Sequence, residues 1–247
     1  MLHGKKIAVL MPAYNASLTL EKTFEEIAEG LVDYVILVDD ASHDNTADIS
    51  RNLGIRTYEH QENSGYGGNQ KSCYREALKL DADIFILLHP DYQYTPKLIP
   101  AMASMLMADV YDVVIASRIL TGTALDGGMP LYKYFFNRVL TLLENMLTLA
   151  KFSEYHTGYR AFTRKFLETV PWKKNSSDFL FDNQILIQAL HFDFRVGEIS
   201  CPTRYDADSS SIDFFSSLRY GAGVLKTALQ FRLQRLGIMK FSIFSRD

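Results

Sequence analysis

The sequence predicts an α/β fold, a mainly parallel sheet flanked by helices with a C-terminal amphipathic helix, and three observations carry that prediction. Between residues 7 and 117, short apolar runs alternate with stretches of helical periodicity, the pattern that builds a parallel sheet covered by helices. Two of those runs, at 34–38 and 84–88, end directly in polar clusters, Asp39-Asp40 and His89-Pro90-Asp91-Tyr92-Gln93. Open sheets of this kind bind ligands beyond the carboxyl ends of their strands. With 247 residues and 47% hydrophobic content, the chain has enough apolar surface for a substantial core, burying roughly 70% of the area its unfolded form exposes.

The elements follow in order. Residues 7–11 form an apolar strand ending at Pro12, and Leu20, Phe24, Ile27, Ala28 and Leu31 recur at helical spacing, with Ser17 as the expected cap. The strand at 34–38 follows, then a short helix closed by Gly54 and a third strand at 55–58. Gly65, Gly67 and Gly68 read as a loop before a helix that starts near Asn69 and runs to about Leu80. After the strand at 84–88, Thr95 and Pro96 open another helix, and 112–117 is a further strand. Beyond Arg118 the pattern loosens: Gly122, Gly127, Gly128 and Pro130 mark a loop, and Phe135, Val139, Leu142, Leu143, Met146 and Leu149 a long helix. Leu218, Ala222, Leu225, Leu229, Leu233 and Leu236 define a last apolar stripe flanked by basic residues. The expected division is a body at 1–212 and a basic helical tail at 213–247. That tail can lie on a membrane, dock on the body or form a dimer seam.

Charge and cysteines narrow the class. The net charge is −3, yet residues 214–246 hold six basic residues and no acid, so the remainder carries −9 once that +6 is removed. An acidic body offers no footprint for nucleic acid. Cys73 and Cys201 lie outside any metal-binding spacing and fit buried thiols in a reducing compartment. No apolar run approaches the ~18 residues of a membrane span, and the expected location is cytoplasmic, with peripheral contact on the inner face of the membrane.

The candidate site residues come from the strand ends. Asp39 and Asp40 can accept hydrogen bonds from a base and a ribose; alternatively, Asp39 caps the following turn with Ser42 and Asp44. Pro12, Tyr14 and Asn15, in the turn after the first strand, can hold a nucleobase. His89, Asp91 and Gln93 alternate and so share one side of an extended chain, where they could hold one divalent cation at a diphosphate. His89 can instead act one layer behind the ligands. Lys71 adds a cation near the glycine loop, and Asp182 is either a general base or a helix cap. Arg118, Arg160 and Arg204 are candidates for a phosphate.

Met11-Pro-Ala-Tyr-Asn15, Val38-Asp-Asp-Ala-Ser42 with Asp44 and Thr46, Asn63-x-Gly65, the turn at 89–93, Ser117-Arg118 and His156-Thr-Gly-Tyr-Arg160 occur in one order. In that order the chain resembles family 2 glycosyltransferases over roughly residues 5–205, most closely the dolichyl-phosphate mannose synthase or polyprenyl-phosphate branch. The resemblance implies a GT-A fold and an inverting transfer from a UDP- or GDP-linked sugar to a polyprenyl phosphate or a saccharide. It also implies Mg or Mn at the diphosphate, a donor site that includes Ser42, Asn63 and Gly65, and an acceptor phosphate near Arg204. The chain departs from the family where His89 replaces an Asp, Ala16 a Glu, Tyr66 a Lys, Gln184 a Glu and His156 an Asp. Two other readings stay open: a catalytically degenerate nucleotide-sugar-binding subunit, and a sugar nucleotidyltransferase. The latter usually carries a basic, glycine-rich signature after the first strand, which Pro12 to Asn15 lacks.

Overall fold

The structure, a computed structural model, describes residues 4–28, 30–203, 205 and 214–246. Arg204 and the expected boundary at 212/213 lie outside the described residues.

Strands β1 (Ile7–Ala13), β2 (Tyr34–Asp39), β3 (Arg56–Glu59), β4 (Ile84–Leu87), β5 (Val113–Ser117), β6 (Arg160–Thr163) and β7 (Val196–Ser200) form one sheet in the order β3-β2-β1-β4-β6-β5-β7. All pairings are parallel except those of β6, which runs antiparallel between β4 and β5. Both faces of the sheet are covered. Ala8 and Leu10 of β1 pack with Phe85, Phe162 and Phe181 on one side, and Ile7, Val9 and Met11 pack with Ile86, Met102 and Leu106 on the other. This two-sided burial explains why β1 and β4 read as unbroken apolar runs. From β1 the chain moves outward to β2 and β3, then returns to β4 on the opposite side of β1, which places the crevice of the fold between β1 and β4.

The helices are α1 (Leu20–Glu25), α2 (Thr46–Asn52), α3 (Tyr66–Ala77), α4 (Ile99–Met107), α5 (Leu131–Thr148), α6 (Arg164–Thr169), α7 (Leu180–His191) and α8 (Phe214–Arg235). Three expectations are corrected. Ser17 does not cap α1: Thr19 holds the cap position, and Ser17 donates its amide to Asp44 Oδ2 at 3.1 Å. Helix α1 ends at Glu25, and Ile27 and Leu31 reach the core from the segment beyond it. The glycine loop is shorter than expected, because α3 begins at Tyr66 and takes Gly67 and Gly68 into its first turn. Gly65 precedes it at φ 79°, with Ser177 O only 2.6 Å from where a Cβ would stand, so the turn requires glycine.

Of the three fates open to the C-terminal helix, docking on the body is what the structure shows. Helix α8 packs along α5 and α7, and Val224, Ala228 and Phe231 are buried, with Phe231 against His191 and Phe244. None of the described helices is long and apolar enough to cross a membrane.

Candidate active site

Strand register gathers the motifs at one edge. Ala13 pairs with Asp39, Leu10 with Leu87, Leu87 with Arg160 and Ser117 with Ser200, so the turns after β1, β2, β4 and β5 and the turn before β6 open on the same side. Asn69 ties two of them together, donating its side-chain amide to Ala13 O at 3.1 Å and Val38 O at 3.0 Å.

On the β1–β2 side, the carboxylates of Asp39 and Asp40 are buried and already hydrogen-bonded. Asp39 accepts from the Ser42 amide at 2.9 Å and its hydroxyl at 2.5 Å, the turn cap the sequence offered as the alternative. Ser42 Oγ in turn accepts from the Asn15 amide at 2.8 Å, and Asn15 Oδ1 accepts from the His43 amide at 2.9 Å. Asn15 and Ala41 adopt positive φ, 51° and 58°, a strain that collects at ligand-binding turns. Asp40 accepts from the Ser64 amide at 2.8 Å and lies 2.7 Å from His60 Nδ1, while Asn63 donates to the Asp40 backbone carbonyl and accepts from the Gly65 amide. These contacts fix the turns and leave Tyr14, 48% exposed, facing out beside Pro12.

The second cluster lines a cavity of about 540 Å³. Its polar end holds Tyr66, His89, Asp91, Gln93, Arg118 and Asp182. Tyr66 donates its hydroxyl hydrogen to Asp182 Oδ2 at 2.6 Å, and His89 Nε2 lies 3.0 Å from the Tyr66 hydroxyl oxygen. A tyrosine has one hydrogen to give, so His89 Nε2 is the donor in that pair and Nδ1 is left with the lone pair. The two rings stack with centroids 5.2 Å apart. Gly158 permits this approach, since a Cβ there would stand 2.9 Å from both His89 Nε2 and Tyr66 Oη. Gln70 Nε2 donates to Asp182 Oδ1 at 3.0 Å and accepts from Tyr74 through Oε1. Asp182, in the first turn of α7, is therefore no cap for that helix: both its oxygens serve Tyr66 and Gln70. Asp178 takes the capping contact, accepting from Leu180 N.

Of three basic candidates, Arg118 lines the cavity and Arg160 and Lys71 do not. Arg160 is fully buried and donates to the carbonyls of Thr157, Tyr155 and Asp182, bracing the edge from below instead of facing a phosphate. Arg118 lines the cavity, but Glu154, fully buried, pairs with its guanidinium, and Tyr205 and the carbonyl of His156 each take a further donor. Lys71 points away from the cavity to Asn175 O and Ser177 Oγ. No motif marks Lys133, the lysine that lines the cavity; burial lowers its pKa, and the nearby Arg118 lowers it further. Among the described residues, no carboxylate pairs with it.

A second group is set into the cavity wall, where His156 and Tyr220 line the cavity and Glu144 lies behind them. His156 Nδ1 meets Tyr220 Oη at 2.9 Å, and His156 Nε2 lies 3.4 Å from Glu144 Oε2. Burial drives Glu144 up to about 8 and His156 down to about 4. Both are neutral at pH 7, a protonated acid facing an imidazole lone pair, so a proton on Oε2 would satisfy two atoms that otherwise have no partner.

The Glycosyl transferase family 2 model matches residues 8–170, which spans the strand-end turns of β1, β2, β4 and β5 and all of β6. The chain belongs to glycosyl transferase family 2. It is 27% identical over 232 residues to a dolichyl-phosphate hexose transferase of Haloferax volcanii, covering 92% of this chain and 96% of that one. A UDP-N-acetylglucosamine–dolichyl-phosphate N-acetylglucosaminyltransferase of Methanococcus voltae is 25% identical over 218 residues, covering 81% and 86%. Among solved structures, glucosyl-3-phosphoglycerate synthase of Mycobacterium tuberculosis with UDP superposes with a TM-score of 0.71 at 20% identity, over 96% of this chain and 82% of that one. The fold is GT-A, as the motifs implied, and this family 2 glycosyltransferase carries His89-Pro90-Asp91-Tyr92-Gln93 in the turn after β4.

That turn suits a hard cation only in part. Asp91 and Gln93 line the cavity, and Asp91 Oδ1 also accepts from the Gln93 amide at 3.1 Å. Among the described residues, no three His, Cys, Asp or Glu side chains gather around a common point. One carboxylate with an amide oxygen fits a cation whose other positions are filled by phosphate oxygens and water. His89 has Nε2 engaged with Tyr66, which leaves Nδ1 as the ring nitrogen with a lone pair, the state in which a histidine can meet a cation.

Proposed function

We propose that this glycosyltransferase moves a hexose or N-acetylhexosamine from a UDP-linked donor to the phosphate of a polyprenyl-phosphate acceptor, with inversion. One observation carries the choice of acceptor. The cavity joins the β4 strand end to a groove between α5 and α8 lined by Met129, Phe136, Leu140, Leu143, Leu218 and Leu225, a surface with no use for a saccharide. Relatives named for dolichyl phosphate point the same way, and the Methanococcus relative and the Mycobacterium structure supply the UDP.

An oxygen of the acceptor phosphate attacks the anomeric carbon, and the bond from that carbon to the donor's diphosphate breaks on the opposite face. A phosphate monoester is already ionised at pH 7, so no side chain has to remove a proton. That agrees with Asp182, whose two oxygens are committed to Tyr66 and Gln70. Asp182 is then a positioning residue that holds Tyr66, and through it His89, beside the reacting groups. Asp91 and Gln93 would hold a divalent cation, Mg or Mn, which when bound neutralises the leaving diphosphate. The turns at Pro12 to Asn15 and at Asp39 to Ser42 offer their outer surface to the uridine. Lys133 is the cation left to meet the acceptor phosphate.

Titration with UDP and manganese tests the donor half. Asp91→Ala is expected to abolish the manganese-dependent part of binding; equal binding by the variant would remove Asp91 from the site. Lys133→Ala tests the acceptor half: the KM for polyprenyl phosphate is expected to rise about 10-fold, as for one lost charge-assisted contact, with the KM for the donor unchanged.

A further inference from the structure

Helix α5 is built inside out. Its buried residues are polar, Asn137, Thr141, Glu144 and Thr148, whereas Leu131, Phe135, Leu142, Met146 and Leu149 are each at least 60% exposed. The spacing of these five puts them on one side of the helix, and a helix of a water-facing domain shows the reverse arrangement. Next to them Tyr132, Phe136, Val139 and Leu143 are partly exposed and also line the cavity, so the apolar strip runs without a break into the mouth of the groove.

We infer that α5, together with the neighbouring edge of α8, lies in the surface of an anionic bilayer, so that a lipid-linked acceptor enters the groove sideways from the membrane. Charge favours this occupant. The sole acid of α5 is the buried Glu144, and α8 has none, while Lys133, Arg138, Arg219, Lys226 and Arg232 are all basic. Basic groups around an apolar strip suit anionic headgroups and repel a second copy of themselves. Size argues against a copy as well. A helix of this length offers a strip roughly 27 Å long and 10 Å wide, a few hundred Å², short of the ~800 Å² per partner of a standard interface. The inference deepens the lipid-phosphate reading and rests on it for the acceptor; the bilayer contact itself needs no sugar donor.

The test is sedimentation of the full chain with vesicles of phosphatidylglycerol and phosphatidylethanolamine, alongside phosphatidylcholine vesicles, with light scattering for oligomeric state. The chain is expected to bind the anionic vesicles and to prefer them ~10-fold or more. Phe135→Ser with Leu142→Ser and Met146→Ser is expected to lower partitioning at least ~10-fold. Because the three positions are exposed, UDP binding by this variant is expected to stay unchanged, which certifies its fold. The Arg219→Ala and Lys226→Ala double variant, which leaves the strip intact, is expected to weaken only the anionic binding. Absence of vesicle binding, equal binding by the serine variant, or a dimer that this variant dissolves while vesicles are ignored would each overturn the inference. Vesicle binding that persists when sugar transfer fails would support the membrane contact and place the fault with the acceptor reading.

Discussion

Tyr66 occupies the position where the family resemblance implied a lysine, and its hydroxyl is the hinge of the site: it gives its hydrogen to Asp182 and receives one from His89. Tyr66→Phe leaves the stacking surface but strands the buried Asp182 with one donor. The expected cost is about 1–3 kcal/mol of stability, read by denaturant unfolding. With His89 no longer aimed, kcat is expected to fall ~10–100-fold while the KM for the donor stays level. An unchanged kcat would reduce the hydroxyl to a packing role. At this scale the sequence was legible in part. Asp91, Gln93, His89 and Asp182 were all visible and all line the cavity, because strand ends announce themselves in an apolar run that stops. The partners that decide their roles were not. Glu154, which neutralises Arg118, and Gln70, which shares Asp182, come from distant parts of the chain, 36 and 112 residues away. No local pattern marks a pair that only folding creates. Arg160 misled for the same reason: a buried guanidinium satisfied by three carbonyls looks in sequence like one waiting for a phosphate.

Among elements, the first half of the sheet follows directly from unbroken apolar runs, since β1, β2 and β4 are buried on both faces and flanked by turn residues. Strand β6 was hidden because Arg160–Thr163 is four residues long and begins with an arginine; its place is set by the antiparallel partners on either side, not by its own composition. Helix α8 illustrates a different ambiguity. Its stripe of leucines was legible, but the face it packs with was not: Val224, Ala228 and Phe231, which are buried, lie on another face of the helix, and Leu218, Leu229 and Leu236 of the stripe are exposed. Phe231→Ala is expected to destabilise the whole chain by about 3–5 kcal/mol, as for a core aromatic, in a single unfolding transition. Loss of α8 structure with the remainder intact would show the helix to be an independent tail.

At the scale of the molecule, stability should carry the signature of the buried Glu144 and His156. Glu144 is raised to about 8, so the folded chain holds a proton that the unfolded chain releases near its ordinary value of 4.5, and stability is lost as pH rises toward 8. His156 is lowered to about 4, so its contribution is present above its ordinary 6.5 and lost as pH falls toward 4. Between about 4.5 and 6.5 the two slopes oppose each other, and above 6.5 Glu144 acts alone. Stability is therefore expected to be level across the lower window and to fall by about 2 kcal/mol from pH 6.5 to 8. Glu144→Gln is expected to flatten that fall, and a slope that survives the substitution would assign it to another group.

The central claim concerns the acceptor. The measurement that tests it most directly is transfer of radiolabelled sugar from UDP-linked hexoses and N-acetylhexosamines to polyprenyl phosphate, run beside the same polyprenol without its phosphate and beside Asp91→Ala. The expected result is labelled lipid from at least one donor, formed only when the phosphate is present and lost in the variant. Equal transfer to the free polyprenol, or transfer only to saccharides, would contradict the account, because the attacking oxygen would then need a proton removed and Asp182 is already committed to Tyr66 and Gln70.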